Sequence, residues 1–174
     1  MEYFLLKQDE RYNDFPMIID LFSKVDKRNI NIENYKKLDD MMIFHVNASE
    51  NSVFMDVLER QIYLISSGLK DLISKYEPNI IYKTVFLIDR VNKVQRKYFL
   101  PIFFEIDTLH ESSEFNLDKS VIKKLVLDKN KIKDRKIFKI NKGEKTQIVV
   151  SLDLAESILR RSFIGVKLEE VKVK

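Results

Sequence analysis

The sequence contains no cysteine and no tryptophan among its 174 residues, and it has only three glycines and three prolines. Without cysteine, disulfides, thiolate metal sites and a cysteine nucleophile are excluded. With three scattered glycines, a Gly-rich phosphate-binding loop is excluded too, so we expect no nucleotide or other cofactor. A chain without disulfides is typical of a reducing compartment, and we expect a cytoplasmic protein.

Long hydrophobic runs are also missing. The longest covers residues 98–104, far short of the roughly 20 apolar residues that a membrane helix needs. The opening stretch MEYFLLKQDE lacks the basic start of a signal peptide. We therefore expect no membrane partner and no export. No linker rich in Gly, Ser or Pro interrupts the chain, which predicts one domain over residues 1–174.

Charge is unevenly distributed along the chain, although the formal net charge is only +4. Residues 1–60 carry 8 basic and 12 acidic side chains, and residues 119–174 carry 16 and 7. The tract Lys119–Lys145 holds eleven basic residues against three acids, so a nucleic-acid-binding module is the alternative interpretation. Its lysines alternate with core-type residues and Phe138 is its single aromatic residue, which favours the solvated face of a sheet and makes a nucleic-acid partner unlikely.

Two stretches of the chain share a strand–helix–strand pattern. They are QIYLISSGLKDLISKYEPNIIYKTVFL, residues 61–87, and QIVVSLDLAESILRRSFIGVKLEEVKV, residues 147–173. With two single-residue gaps the stretches share six identities, which leaves both duplication and the coincidence of two ordinary units open.

The same end signals accompany both predicted helices. Ser66 and Ser151 stand where a helix N-cap belongs, before stripes of leucine and isoleucine at helical spacing. Asn79 and Gly165 stand after the two helices, where a left-handed C-cap is expected. We interpret these four residues as structural caps rather than as chemical groups.

Further elements are predicted from alternation and spacing. The stretch FPMIIDLFSKV predicts a short helix, and the remaining elements are strands. These strands cover residues 2–7, 41–47, 97–109, 122–127 and 136–140. Strands and helices mix without a regular βαβ rhythm, which predicts an α+β fold: one domain with a mixed or antiparallel sheet in which the strand–helix–strand unit occurs twice.

No group of residues indicates a reaction. His45 alternates within the strand MMIFHVN, and His110 stands in a polar stretch, and neither has a second histidine or a ligand-spaced carboxylate nearby in sequence. Adjacent acid pairs point apart on helices and strands, so adjacency makes no acid–base pair. We predict no catalytic and no metal-binding residues.

From residue 54 onward, a series of motifs occurs in a characteristic order. The motifs are FMDVLERQIYLISSGLKDLI, RKYFLPIFFEIDTLH, NLDKS, LVLDKNKI, IFKI and GVKLEEV. This order resembles a family of predicted immunity proteins from bacterial polymorphic toxin systems, the one numbered eleven and formerly a domain of unknown function. The resemblance divides the chain into an N-terminal region, residues 1–53, with a strand, a helix and a loop, and a family-like region, residues 54–174.

The resemblance implies an inhibitor rather than an enzyme. Its partner would be a cognate toxin protein made in the same cell, which it would bind and block non-covalently. Many toxins have basic active sites, which an acidic surface attracts. We therefore predict that the acidic first third of the chain contacts the toxin, through Asp9, Glu10, Asp14, Asp39 and Asp40.

Overall fold

The structure, a computed structural model, describes residues 2–132 and 134–174. In this part of the chain, strands form two six-stranded sheets and a two-stranded ribbon, and four helices accompany them. The predicted α+β class is confirmed. No helix within these residues has the length and apolar character to cross a membrane.

The first sheet joins the two ends of the chain. Its strands, in spatial order, are β11 (Val126–Leu127), β14 (Val166–Val173), β1 (Tyr3–Gln8), β13 (Ile148–Ser151), β12 (Ile137–Ile140) and β8 (Glu105–Ile106). The predicted strand over residues 122–127 is divided, because its first part pairs instead with β9 (Glu114–Phe115) in the ribbon, as β10 (Ile122–Lys124).

The second sheet is built from residues 17–102. Its strands, in spatial order, are β2 (Met17–Ile18), β3 (Met41–Asn47), β6 (Ile81–Asp89), β7 (Val94–Ile102), β5 (Leu64–Ser66) and β4 (Val57–Leu58). Pro101 lies in β7 beyond Tyr98 and Phe99, the residues that pair with β5. At Pro101 the strand is thus paired only with β6, which suits a residue that cannot donate a ladder hydrogen bond.

Four helices connect the strands. They are α1 (Leu21–Lys24), α2 (Ser67–Tyr76), α3 (Lys129–Ile132) and α4 (Leu152–Leu159). Ser66 is the N-cap of α2, and its hydroxyl accepts a hydrogen bond from the backbone N–H of Leu69 at 3.3 Å. Ser151 is the N-cap of α4, but its hydroxyl bonds to the carboxylate of Asp153 and makes no cap bond to the backbone.

The two predicted C-caps are wrong. Helix α2 ends at Tyr76 with Glu77 as its C-cap, because the residue before Pro78 disfavours the helical conformation. Asn79 therefore lies outside the cap and is not among the described residues with positive φ. Helix α4 ends with Arg160 as its C-cap, so Gly165, at φ +69°, belongs instead to the turn that enters β14.

The predicted helix near residue 20 is also partly wrong. Met17 and Ile18 form β2, and only Leu21–Lys24 is helical. The side-chain amide of Gln61 accepts a hydrogen bond from the Ile18 N–H at 2.7 Å and donates one to its carbonyl at 2.8 Å. This amide acts as a strand partner, which no local spacing in the sequence reveals.

The two strand–helix–strand units have the same topology. In each unit the two strands flank one central antiparallel strand, which is β7 between β5 and β6, and β1 between β13 and β14. The next strands also match, because β3 and β11 run parallel to β6 and β14, whereas β4 and β12 run antiparallel to β5 and β13. Five consecutive strands are thus repeated in position and direction.

The register is repeated as well. Each central strand places a tyrosine between an N-cap serine and a valine of the flanking strands. These residues are Ser66, Tyr98 and Val85 in the second sheet and Ser151, Tyr3 and Val171 in the first. Both central strands read Tyr-Phe-Leu from that tyrosine. The shared register favours duplication over coincidence.

The apolar core lies in three layers. The central layer contains α2 and α4 with side chains of both sheets, such as Ile65 and Val150. A second layer covers the outer face of the second sheet with residues of the segment 18–62. A third layer covers the outer face of the first sheet, mainly with side chains from 106–132.

Candidate functional site

The five predicted contact acids lie in three separate places. Asp39 and Asp40 directly precede β3, whereas Asp14 bonds to serines that follow the same strand. Seven strand residues at about 3.3 Å each separate these two places by about 20 Å. Asp9 and Glu10 follow β1 in the other sheet. The acidic first third of the chain therefore does not form one surface.

Asp9 is not available as a contact residue. Asp9 is only 3% exposed. Its carboxylate accepts hydrogen bonds from the backbone N–H and the guanidinium of Arg11, the shortest at 2.6 Å. These hydrogen bonds hold the pKa of the Asp9 carboxyl below its ordinary value. The charge of Asp9 is thus neutralised within the molecule. The neighbouring Glu10 is exposed, and its carboxylate lies 4.0 Å from Nζ of Lys167.

Asp14 has a local structural role. Its carboxylate accepts hydrogen bonds from the hydroxyls of Ser49, at 2.7 Å, and Ser52. The bond from Ser52, followed by that from Ser49, lowers the pKa of Asp14. Together these contacts tie residue 14 to the turn after β3.

Asp40 differs from Asp39 because it forms an ion pair with a buried lysine. Its side chain is 98% exposed, but one oxygen lies 2.6 Å from Nζ of Lys83, whose side chain is only 5% exposed. The same Nζ donates to the carbonyl of Leu38 at 3.1 Å. Removing the Asp40 charge would leave a desolvated ammonium without its counter-ion, whereas Asp39 is exposed and can change without that cost.

One half of the second sheet has a face with exposed apolar side chains, which no other part of the described residues covers. We call it the open face and define it by Met17, Ile19, Met41, Ile43, His45, Thr84, Phe86, Ile88 and Lys97. Met41 is 60% exposed, Ile43 44% and Ile19 68%. Clustered exposed apolar side chains on a folded protein mark interaction sites.

Strand pairing brings these side chains together. Ile43 of β3 lies opposite Phe86 of β6, and Met41 lies opposite Thr84. Helix α2 covers the neighbouring half of this face, where Tyr82 and Phe99 join the central core. The open face is therefore the part of the sheet that α2 does not reach.

This face was not predicted from the sequence. Strand MMIFHVN is apolar on both sides, a pattern that normally indicates a strand buried on both faces. In the structure, Met42, Phe44 and Val46 are buried in the core while Met41 and Ile43 are exposed. The apolar residues on both sides of the strand could have indicated this face, but only the tertiary structure shows that Met41 and Ile43 stay exposed.

A cleft of about 980 Å³ lies between the two sheets near Glu59. Burial raises the pKa of the Glu59 carboxyl, against the opposing effect of Lys7. Charges of both signs line the cleft, and neither His45 nor His110 belongs to its lining.

The two histidines are engaged elsewhere. Nδ1 of His45 lies 2.9 Å from the carboxylate of Asp20, which also pairs with Lys24 at 2.7 Å. Nδ1 of His110 lies 2.8 Å from the hydroxyl of Ser112. Across the residues that the structure describes, no group of three His, Asp or Glu side chains could hold a metal ion.

The basic tract Lys119–Lys145 carries less free charge than its composition suggests. Five of its ten lysines form ion pairs within the described residues. These pairs are Lys124–Glu114, Lys131–Asp128, Lys136–Asp153, Lys139–Glu105 and Lys142–Asp107. A phosphate backbone would have to compete with these carboxylates, which weakens the nucleic-acid interpretation.

Comparison with protein families identifies a match. The model of a family described as Immunity protein family (Imm11) matches residues 6–173. This range covers both sheets except for the first residues of β1, and it extends the similarity from residue 54 back into that strand. No curated protein matches the chain.

Proposed function

Because the chain belongs to the Imm11 immunity protein family, we propose that it neutralises a cognate toxin by binding it non-covalently in the cytoplasm of the producing cell. The family match over residues 6–173 carries this proposal. The toxin is the partner, and the chain acts as an inhibitor without a reaction of its own.

The arrangement of side chains supports a binding role. The open face presents apolar side chains to solvent, and Asp39 lies at its border shortly before β3 begins. An apolar centre with a charged rim is the common design of protein–protein interfaces. Of the five predicted contact acids, we retain Asp39 as a contact of the toxin, because the carboxylate of Asp40 is already paired with Lys83.

Co-expression tests the proposal directly. The probe is the carboxyl-terminal domain of a toxin encoded beside this gene, produced with or without the chain. We expect the toxin domain alone to stop growth, and the chain to restore growth and to co-purify with the domain. Growth arrest that the chain does not relieve would contradict the proposal.

A charge reversal tests the acidic rim. Asp39→Lys should slow association with the toxin domain by about 3- to 10-fold at low salt, because rim charges act mainly on the association rate. Glu111→Lys is the matched control, since Glu111 is also exposed and lies outside the open face. Equal association rates for both variants, measured by biolayer interferometry, would remove Asp39 from the interface.

A further inference from the structure

The internal repeat supplies a control for the open face. Strand β14 of the first sheet is the counterpart of β6, with Val171 in the place of Val85. Counted from these valines, Glu170 corresponds to Thr84 and Lys172 corresponds to Phe86. Both Glu170 and Lys172 are exposed. The fold is thus compatible with charged residues at these positions.

The contrast between the two sheets points to selection for binding. An exposed sheet face ordinarily carries polar residues, as β14 does. At the position of Lys172 the second sheet carries Phe86, which is half-buried, with Ile43, 44% exposed, beside it. Since the fold accepts a charged residue at the position of Phe86, an apolar residue there needs another reason, and contact with a partner supplies one.

We propose that the open face is the toxin-binding surface and that its occupant is an apolar patch of the cognate toxin domain flanked by basic side chains. This inference rests on the proposed function. The apolar centre formed by Met41, Ile43 and Phe86 supplies the buried contact, and Asp39 at its border selects basic side chains on the toxin. Lys97, on the β7 side of the face, repels such side chains and fixes their orientation.

Two lysine substitutions test the surface. Phe86→Lys introduces the residue that the first sheet carries at the corresponding position, and Ile43→Lys changes a side chain that is already 44% exposed. Each variant should bind the toxin domain at least about 30-fold more weakly in calorimetry, as expected for a central interface residue. If Phe86→Lys fails to fold by circular dichroism, Ile43→Lys carries the test.

Leu159→Lys is the control, because Leu159 is an exposed apolar residue outside the open face, at the end of α4. It should bind as the unmodified chain does. Folded variants at residues 43 and 86 that bind within about threefold of the unmodified chain would overturn the inference while leaving the proposed function intact. An unmodified chain that does not bind the toxin domain would overturn both.

A second copy of the chain is the competing occupant. Light scattering coupled to size-exclusion chromatography distinguishes it. We expect a monomer without the toxin and a heterodimer with it. A homodimer that Ile43→Lys dissociates would show that the open face serves self-association and would overturn the inference.

Discussion

Gly165 lies in a crowded turn, and its replacement by alanine should be strongly destabilising. A Cβ at this position would lie 2.1 Å from Cγ and 2.5 Å from Cβ of Met55. Met55 is fully buried, and its Cβ can move only with the backbone. The turn is also held by hydrogen bonds, since the Asp9 N–H donates to the Gly165 carbonyl at 2.9 Å and the Asp56 N–H donates to Ile164 at 2.8 Å.

Two costs combine at this position. The left-handed conformation, φ +69°, costs a non-glycine residue about 1–2 kcal/mol, and overpacking costs a further 1–3 kcal/mol or so. We therefore expect Gly165→Ala to lower the free energy of unfolding by about 2–5 kcal/mol. For a chain of this length, that loss lowers Tm by roughly 5–15 °C.

Two other glycines serve as controls. Gly143 has a similar φ of +88°, but a Cβ there would meet nothing closer than 3.4 Å, so Gly143→Ala should cost only the conformational 1–2 kcal/mol or so. Gly68 lies in α2 without a positive φ, and Gly68→Ala should stabilise the chain by about 0.5–1 kcal/mol. The assay is urea unfolding followed by circular dichroism. If Gly165→Ala costs no more than Gly143→Ala, the collision with Met55 does not exist.

Two further predictions concern capping and acid stability. Ser66→Ala should lower the free energy of unfolding in urea by about 1 kcal/mol, because it removes the N-cap bond to Leu69. The control Ser67→Ala, at an exposed neighbouring position, should change it by less than about 0.5 kcal/mol. Equal losses in the two variants would refute the cap. Burial acts to raise the pKa of Asp20, but hydrogen bonds from Lys24 and His45 outweigh it and the pKa is lowered. Its contribution to stability is therefore complete above the unfolded value near 4 and is lost as the pH falls through the lower folded pKa. As the pH falls from 5 to about 2, the free energy of unfolding of Asp20→Asn should decrease less than that of the unmodified chain. Identical profiles of unfolding free energy against pH would contradict this.

The parts of the fold that local chemistry determines were predictable. Helix α2 follows from its capping serine and its apolar stripe, and Pro78 limits its end. Strand β3 follows from its alternation. These signals are contained in a few neighbouring residues, so the sequence alone reveals them.

The parts that depend on distant partners were not predictable. The spacing of Met17, Ile18 and Leu21 fits a helix, but pairing with β3 and the amide of Gln61 draws the first two residues into a strand. The predicted acidic surface depends on distant contacts in the same way, because acids of the first third of the chain lie at different ends of the sheets. The family resemblance was predictable, because the order of motifs along the chain can be recognised without any knowledge of tertiary contacts.

The repeat was only half visible because its parts occur in a different order in the two halves. In the second sheet the central strand β7 follows β6, whereas in the first sheet the central strand β1 precedes every other element of its unit. A linear alignment of residues 61–87 with 147–173 therefore cannot include Tyr3 or Tyr98. Once both central strands are placed, the two halves share one scaffold, and a residue that differs between them is not dictated by strand pairing alone. Phe86, which is half-buried, and Lys172, which is exposed, differ in this way, and Phe86→Lys is therefore the substitution that tests the proposed surface.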